Sequence, residues 1–269
     1  MTVTTLGRST AQTIGLVLSD AFRDEALAAW IVPDPAARPV LLARLFALTA
    51  TQALTDGTVD VVDDPHSDSD SWSHPHHGND DHSDRASDNS VEGGRGGGGG
   101  LDLPRQVEGS QLEDEGGVVN PPRRAGGRLV GAALWFDYSR PADIPHEPHP
   151  AMVTRVVDVL GEDAAGRWQT AMTAMAERHP RCSHQYLALI GVSGDRQNRG
   201  LGAALLRHRL RVLDNTLSGA YLEATSLDSR AFYARWGFHD LARPLVVPDG
   251  GPTVWPMYRD PCPYGLPRA

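Results

Sequence analysis

The chain contains no lysine, so all 25 of its basic residues are arginine. It has only two cysteines, Cys182 and Cys262, which excludes a disulfide framework and a closely spaced pair of thiolate metal ligands. It also lacks an apolar run of 18 residues, so no membrane association is expected. The first residues do not have the charged-then-apolar order of a secretory signal, and the expected location is cytoplasmic. With 269 residues and 40% hydrophobic content, the chain can bury a substantial core.

Negative charge is concentrated in one segment. Residues 63–117 contain 14 Asp or Glu residues against three Arg, while the whole chain has a formal net charge of −9. The same stretch is rich in His, Ser and Gly, and has too few apolar side chains to offset the entropy lost on ordering its backbone. Residues 64–127 are therefore predicted to be a disordered, acidic, His/Asp/Ser/Gly-rich insertion.

The histidines of this segment raise the alternative of a metal site, because His-rich tracts can ligate transition metals. They are His66, His74, His76, His77 and His82. Their spacing is irregular and no cysteine accompanies them, which favours a solvated segment with adventitious affinity for metals. We expect no metal requirement.

Helical patterns account for much of the remaining chain. Apolar residues recur at helical spacing in residues 10–30 and 37–55, separated by a proline-rich joint, and again in residues 151–178 with interruptions near Gly161 and Gly166. The basic cluster Arg207, Arg209 and Arg211 is interpreted as a solvated helix face. An acidic chain without stacking aromatic residues beside that cluster gives no reason to expect nucleic-acid binding.

The most distinctive feature is an apolar strand pattern, residues 186–192, that leads through a glycine-containing turn into a leucine-rich helix. Gly200 and Gly202 let a ligand approach the backbone closely, and the first N–H groups of a helix point outward at its positive end. The pattern predicts an anion site suited to a pyrophosphate. The alternative is a tight connection with no ligand.

Gln197, Gly200 and Gly202 resemble motif A, [QR]-x-x-G-x-[GA], of the GNAT superfamily of acetyl-CoA-dependent N-acetyltransferases. A second likeness follows, in a strand at 220–225 and a helix at 228–236 that carries F-Y-x-x-x-G-F. Asp228 or Ser229 is its expected N-cap. Residues 180–260 are most similar to GNAT enzymes of the puromycin N-acetyltransferase type. That likeness includes the run from His184 to Leu187 and a Gly-Pro-Thr-x-Trp-x-Met ending.

The resemblance implies an α/β fold with a central mixed, mostly antiparallel twisted sheet and helices on both faces. Strands at 57–63 and 128–136 would form a sequential antiparallel pair, with the insertion replacing their hairpin turn. Because the cost of loop closure grows only logarithmically with length, such an insertion is tolerable. Residues 1–269 are expected to be one GNAT domain for which residues 64–127 are dispensable.

The resemblance also implies acetyl-CoA as co-substrate. Its contacts would be Val192, Gln197, Asn198, Arg199, Gly200, Leu201, Gly202, Ala203 and Ser229. Many members of the superfamily have Asn where this chain has Ser229, which shortens a polar contact to the cofactor.

Three residues are candidates for proton transfer. By resemblance, Tyr233 would be the general acid that protonates the departing CoA sulfur. Glu223 is a candidate base, because a carboxylate on a strand between Leu222 and Ala224 is costly unless it is paired or faces a polar cleft. A structural role, in a salt bridge or a backbone hydrogen bond, would explain Glu223 equally well. His184, just before the strand, is the alternative base or a substrate contact.

These features lead to the hypothesis of an N-acetyltransferase that transfers an acetyl group directly to a primary amine of a small molecule, antibiotic-like or metabolite. Two alternatives remain open: a protein or peptide N-acetyltransferase, and a catalytically silent CoA-binding regulatory domain. A monomer or homodimer is expected. The acceptor pocket would come mainly from the N-terminal half, which is the part least similar to the superfamily, so the sequence predicts no particular amine.

Overall fold

A computed structural model describes residues 3–5, 11–64 and 127–262. Residues 65–126 fall outside these ranges, and with them the predicted disorder of the insertion and its five histidines. Both ends of the predicted insertion, Asp64 and Gly127, are described and lie at the sheet.

The core of the structure is one mixed sheet. Its strands are β1 (Val3–Thr5), β2 (Gly57–Asp64), β3 (Arg128–Tyr138), β4 (His184–Val192), β5 (Ala220–Ala224), β6 (His239–Asp240), β7 (Leu245–Val246) and β8 (Thr253–Arg259). They lie in the order β1-β2-β3-β4-β5-β8-β6, and β7 pairs with β8. Among these pairs, β4 and β5 run parallel and the others antiparallel, which confirms the mostly antiparallel sheet.

Helices cover both faces of the sheet. They are α1 (Ala11–Phe22), α2 (Ala26–Ile31), α3 (Arg38–Asp56), α4 (Pro150–Leu160), α5 (Glu162–Arg178), α6 (Leu201–Asn215) and α7 (Leu227–Ala234). Buried side chains of α1 to α5 form one apolar cluster with β2 and β3, and those of α6 and α7 form another with β4, β5 and β8. In the described parts of the chain, no helix has both the length and the apolar character needed to cross a membrane.

The predicted strands on either side of the insertion pair as expected. β2 and β3 are antiparallel neighbours whose register brings Asp64 opposite Arg128. These two residues flank residues 65–126. The pairing shows that this segment leaves and re-enters the fold at adjacent backbone positions.

Two helix predictions need correction. The single helix expected at 10–30 is two helices, because the chain breaks after Phe22 and Glu25 caps α2 by accepting hydrogen bonds from the amides of Leu27 and Ala28. The region 151–178 is interrupted at Gly161, where φ is +77°, whereas Gly166 lies within α5. The expected interruption at Gly166 is therefore wrong.

The N-cap of α7 also differs from its prediction. Ser226 caps this helix instead of Asp228 or Ser229. The Ser226 hydroxyl accepts from the Ser229 amide and the Ser229 hydroxyl accepts from the Ser226 amide, each at 3.0 Å. This reciprocal pair is a capping box, with serine in place of the usual Glu or Gln at the third helical position.

Arg209 is not part of a solvated face. Its guanidinium donates two hydrogen bonds of 2.9 and 2.7 Å to the buried Asp60 carboxylate on β2. A second buried pair joins the C-terminal end of α6 to β8, where Arg259 donates to Asp214 at 2.8 and 2.9 Å. The two pairs fix the position of α6 on the sheet.

Candidate active site

The two central parallel strands diverge. Within the described residues, β4 and β5 are paired only at Gln185 with Ala220 and at Tyr186 with Tyr221. Beyond these positions β4 stays paired with β3 and β5 with β8, so the separation opens between β4 and β5. A wedge-shaped cleft follows, bounded by the C-terminal halves of both strands.

A bulge in β4 lies within this cleft. Leu134 of β3 is opposite Leu189, but the next residue, Trp135, is opposite Leu187, so Ala188 is an extra residue in β4. A bulge bends its strand and increases the local twist. In the described chain, residues 187–192 have no strand partner on the side of β5, and this edge can therefore accept hydrogen bonds from, or donate them to, an extended ligand.

The predicted glycine turn lies at the C-terminal end of β4. Gly200 is the N-cap of α6 with φ +77°, and within the described chain no side chain caps this helix. A Cβ at Gly200 would meet no heavy atom within 4 Å, so glycine is needed there for its backbone angle. The first amides of α6 lack intrahelical acceptors by helix geometry, which leaves them to bind an anion.

Ion pairs hold this turn in place. Arg128 donates to both carboxylate oxygens of Asp195, at 2.9 and 2.8 Å, and Arg196 donates to Asp64 at 2.6 Å. The Gly194 amide donates to Asp20 of α1 at 2.8 Å. The turn is thereby attached to α1, β2 and β3 before α6 begins.

The predicted cofactor contacts lie on both sides of the cleft. Val192 ends β4, and the Gln197 side-chain amide donates to the Val192 carbonyl at 3.1 Å, so Gln197 supports the turn itself. Asn198 has φ +59° and precedes the exposed Arg199. Residues 201–203 form the first turn of α6. Ser229 lies across the cleft on α7, with its hydroxyl engaged in the capping box.

A cavity of about 330 Å³ opens from the cleft toward the helices on one face of the sheet. Residues from α1 to α5 contribute a largely apolar wall that includes Phe22, Phe46, Met152, Trp168 and Met172. Side chains from β4, β5 and α7 close the opposite side. The cavity is of the size that small-molecule sites have.

Tyr233 lies on the wall of this cavity. It is buried in α7, and its ring makes edge contacts with Phe232 and Phe238 at centroid distances of 5.4 and 5.8 Å. Burial raises the pKa of Tyr233 above its usual value of 10. The phenol therefore keeps its proton at neutral pH and can donate it.

Glu223 faces the same cavity from β5. Burial raises the pKa of the Glu223 carboxyl to about 7, although the nearby phenols of Tyr221 and Tyr186 act to lower it. Among the described residues, no donor forms a hydrogen bond with Glu223 Oε1. Of the structural explanations for this residue, a salt bridge to Arg does not occur among the ion pairs of the described residues, whereas a hydrogen bond from the Glu223 backbone to its carboxyl acts to lower the pKa of that carboxyl.

His184 is the first residue of β4 and lies behind the cavity wall, whereas His179 lies on it. The two Nε2 atoms are 2.9 Å apart, and His184 Nδ1 is 2.8 Å from the Cys182 carbonyl oxygen. The nearest approach of this pair to Glu223 is through His179, whose Nδ1 lies 4.0 Å from Glu223 Oε1.

The structure therefore places Tyr233 and Glu223 on one cavity and adds groups that sequence reasoning missed. His179 follows α5, five residues before His184, and this short separation was the available signal that both would lie at one end of β4. Tyr221 shares a strand face with Glu223 because it lies two residues away. No local signal in the sequence indicated that Tyr186, on the neighbouring strand, would also lie beside Glu223.

No protein-family model matches the sequence. Among solved structures, a protein from Corynebacterium glutamicum, described as histone acetyltransferase HPA2 and related acetyltransferase, is 23% identical. The match covers 97% of this chain and 98% of that one, with a TM-score of 0.54. Arylalkylamine N-acetyltransferase 2 from Aedes aegypti is 9% identical over 97% of this chain and 99% of its own, with a TM-score of 0.52. These likenesses, together with the strand order and the helices on both faces, show that the chain has the GNAT acetyltransferase fold.

Proposed function

We propose that this protein is an acetyl-CoA-dependent N-acetyltransferase that transfers an acetyl group directly to a primary amine of a small molecule. The observation that carries the proposal is the cleft between β4 and β5, with an uncapped helix N-terminus at one end and both Tyr233 and Glu223 beside it. Anion binding, an open strand edge and two proton-transfer groups meet there, which is what acetyl transfer from a thioester requires.

The described residues suit acetyl-CoA. The free amides of the first turn of α6, residues 201–203, would hold the pyrophosphate, and Gly200 supplies the backbone angle that exposes them. The unpaired edge of β4 would hold the amide-containing arm in the manner of an added strand. Acetyl-CoA supplies an acetyl group that is activated as a thioester.

Two side chains would manage the protons. Glu223 would take a proton from the acceptor ammonium, so that the amine is neutral when it attacks. A carboxyl whose pKa is about 7 is an effective base near neutral pH. Tyr233 would donate its phenolic proton to the departing thiolate, since its pKa is raised by burial and the proton is retained until then.

The cavity favours a small acceptor over a polypeptide. Its volume of about 330 Å³ and its wall of aromatic and methionine side chains suit a compact, partly apolar amine. The Aedes aegypti neighbour is named for acetylation of arylalkylamines, which is consistent with that wall. An antibiotic-like amine of the kind acetylated by puromycin-type enzymes is one member of this class.

The test is a CoA-release assay with the full chain over aminonucleosides, arylalkylamines, polyamines, amino acids and peptides. We expect release with at least one small amine and a decrease in kcat of about 10²-fold in Tyr233→Phe, because the general acid is lost. The Kd for acetyl-CoA should stay close to that of the wild type, since the phenylalanine ring keeps the wall intact. Release with peptides alone would contradict a small-molecule acceptor and favour a protein or peptide N-acetyltransferase. Tight acetyl-CoA binding without release would favour a silent regulatory domain.

A further inference from the structure

The protonation of the His179–His184 pair follows from its partners. A carbonyl oxygen can only accept, so His184 Nδ1 must donate to the Cys182 carbonyl across 2.8 Å. A neutral His184 then has an unprotonated Nε2, which accepts from His179 Nε2 across 2.9 Å. The proton of a neutral His179 is thereby fixed at Nε2.

This assignment leaves His179 Nδ1 without a proton, and it is this atom that faces Glu223. Two acceptors, Nδ1 and Glu223 Oε1, lie 4.0 Å apart at side chains that are almost fully buried. While the carboxyl is ionised, neither atom carries a proton, so no hydrogen bond can form between them. When the carboxyl carries a proton, a movement of about 1 Å closes a normal hydrogen bond between them.

The surroundings keep both imidazoles neutral. Burial lowers the pKa of His179 to about 3, and burial also lowers that of His184. Among the described residues, phenols and an exposed cation surround the pair besides Glu223: Tyr138 on β3, Tyr186 on β4, Tyr221 on β5, Tyr258 on β8, and Arg181 in the loop before β4. The acid and imidazole groups elsewhere on the cavity wall are Glu25, Glu147 and His149. Glu223 is thus the carboxylate that His179 approaches within ion-pair distance among the described residues.

We propose that His179 is a positioning residue for Glu223: its Nδ1, kept as an acceptor by His184 and the Cys182 carbonyl, accepts a hydrogen bond from the Glu223 carboxyl after that group has taken the substrate proton. The inference rests on the proposed function, with Glu223 as its base. In the step, an N–H bond of the acceptor ammonium breaks and its electron pair stays on nitrogen. The proton binds Glu223, giving a neutral amine and a neutral carboxyl. His179 thereby stabilises the protonated base without changing its own charge.

The experiment measures the titration of Glu223 directly by NMR of the full chain with ¹³C-labelled glutamate carboxyls, assigned with Glu223→Gln. We expect the pKa of Glu223 to fall by about one unit in His179→Phe, because the protonated carboxyl loses its acceptor while an aromatic ring preserves the burial. If His179 only excluded water, His179→Phe would leave the pKa unchanged or raise it. Either of those results would overturn the proposal.

Two matched variants sharpen the comparison. His179→Asn offers an amide oxygen near the position of Nδ1 and should bring the Glu223 pKa back toward that of the wild type. His239→Gln, at an exposed histidine on β6, should leave it unchanged.

If the His179 variants do not fold, a measurement on the wild-type protein tests the positioning role of His179. In ¹⁵N-labelled histidine spectra at neutral pH, we expect His179 as the neutral Nε2–H tautomer and His184 as the neutral Nδ1–H tautomer. A His179 that carries its proton on Nδ1 would overturn the proposal. These spectra need no catalysis, so a chain with the expected tautomers and Glu223 titration but no acetyl transfer would contradict the proposed function alone.

Discussion

At the scale of single residues, the site depends on a carboxyl that folding makes less acidic. Glu223 is buried beside phenols and neutral imidazoles, and its pKa is raised from 4.5 to about 7. The same burial that would make the carboxyl a base near neutral pH also makes its ionised form costly in the folded protein. Activity and stability should therefore respond in opposite directions when this residue is changed.

Glu223→Gln should remove the rise of kcat/KM with pH that the titration of this carboxyl produces. In the wild type, kcat/KM should rise with pH through about 7 as Glu223 loses its proton, and then level off. The variant should lack that component and be slower by about 10²-fold or more at the plateau. Steady-state pH profiles with one acceptor amine check this. An unchanged profile in the variant would show that Glu223 is not the base.

The stability of Glu223→Gln should exceed that of the wild type at alkaline pH. The folded-state pKa lies above the unfolded value, so the wild type is most favoured below about pH 4.5 and loses up to about 3 kcal/mol as pH rises through 7. The variant has no such loss. Thermal unfolding should give it a Tm a few degrees higher at about pH 8 and a smaller difference at about pH 5. A Tm difference independent of pH would contradict the raised pKa.

How far the sequence predicts such residues depends on the range of the interactions. Glu223 could be predicted because a carboxylate between apolar neighbours on a strand requires an explanation. Arg209 was misassigned because its partner, Asp60, is 149 residues away and no local pattern connects them. His179 was missed for a similar reason, since it lies at the C-terminal end of α5 and approaches Glu223 of β5 only in the folded chain.

At the scale of elements, the segment from β4 through the glycine turn to α6 is the part of the site that the sequence describes best. The strand pattern, the two glycines and the buried leucine stripe of α6 are all local signals, and all are observed. The divergence of β4 from β5 is a property of the whole sheet, and no local sequence signal predicts it. The break between α1 and α2 was hidden because the apolar spacing continues across it.

Gly200→Val should weaken acetyl-CoA binding by about tenfold or more, because a β-branched residue disfavours the φ of +77° that directs the α6 amides. Gly161→Val is the matched control. Gly161 has the same φ and the same open surroundings, but caps α5 away from the cleft. Both variants should lose stability, Gly161→Val the more. Gly200, with ψ +7°, has the left-handed helical conformation that costs another residue about 1–2 kcal/mol, whereas the ψ of +166° at Gly161 is essentially restricted to glycine. Calorimetric titration with acetyl-CoA distinguishes them, and equal affinities in the two variants would argue against a pyrophosphate site at the turn.

The buried pair between α6 and β2 should be essential for stability. Arg209→Met deprives the fully buried Asp60 carboxylate of its guanidinium and should cost about 3–5 kcal/mol. Arg211→Met, an exposed position of the same helix, should change stability by less than about 0.5 kcal/mol. Urea unfolding of both variants measures the difference. Similar midpoints would mean that Arg209 is solvated, as its sequence neighbours suggest.

At the scale of the whole molecule, the prediction that the insertion is dispensable can be tested at the strand pair on either side of it. Asp64 and Arg128 are opposite each other in the β2–β3 pair, so a short turn can join the strands. We expect a variant in which Asn-Gly replaces residues 65–126 to keep the wild-type Tm within a few degrees and the same acetyl-CoA affinity. Thermal unfolding and calorimetry test both. Failure of this variant to fold would show that the segment is part of the structure.

The proposed function depends most directly on whether acetyl-CoA binds in the cleft between β4 and β5. Calorimetric titration of the full chain measures this without any assumption about the acceptor amine. We predict one acetyl-CoA per chain, with a Kd in the micromolar range or below and a higher Tm for the saturated protein, since a ligand specific to the folded state stabilises it. Absence of both binding heat and a Tm shift at millimolar acetyl-CoA would contradict the proposed function.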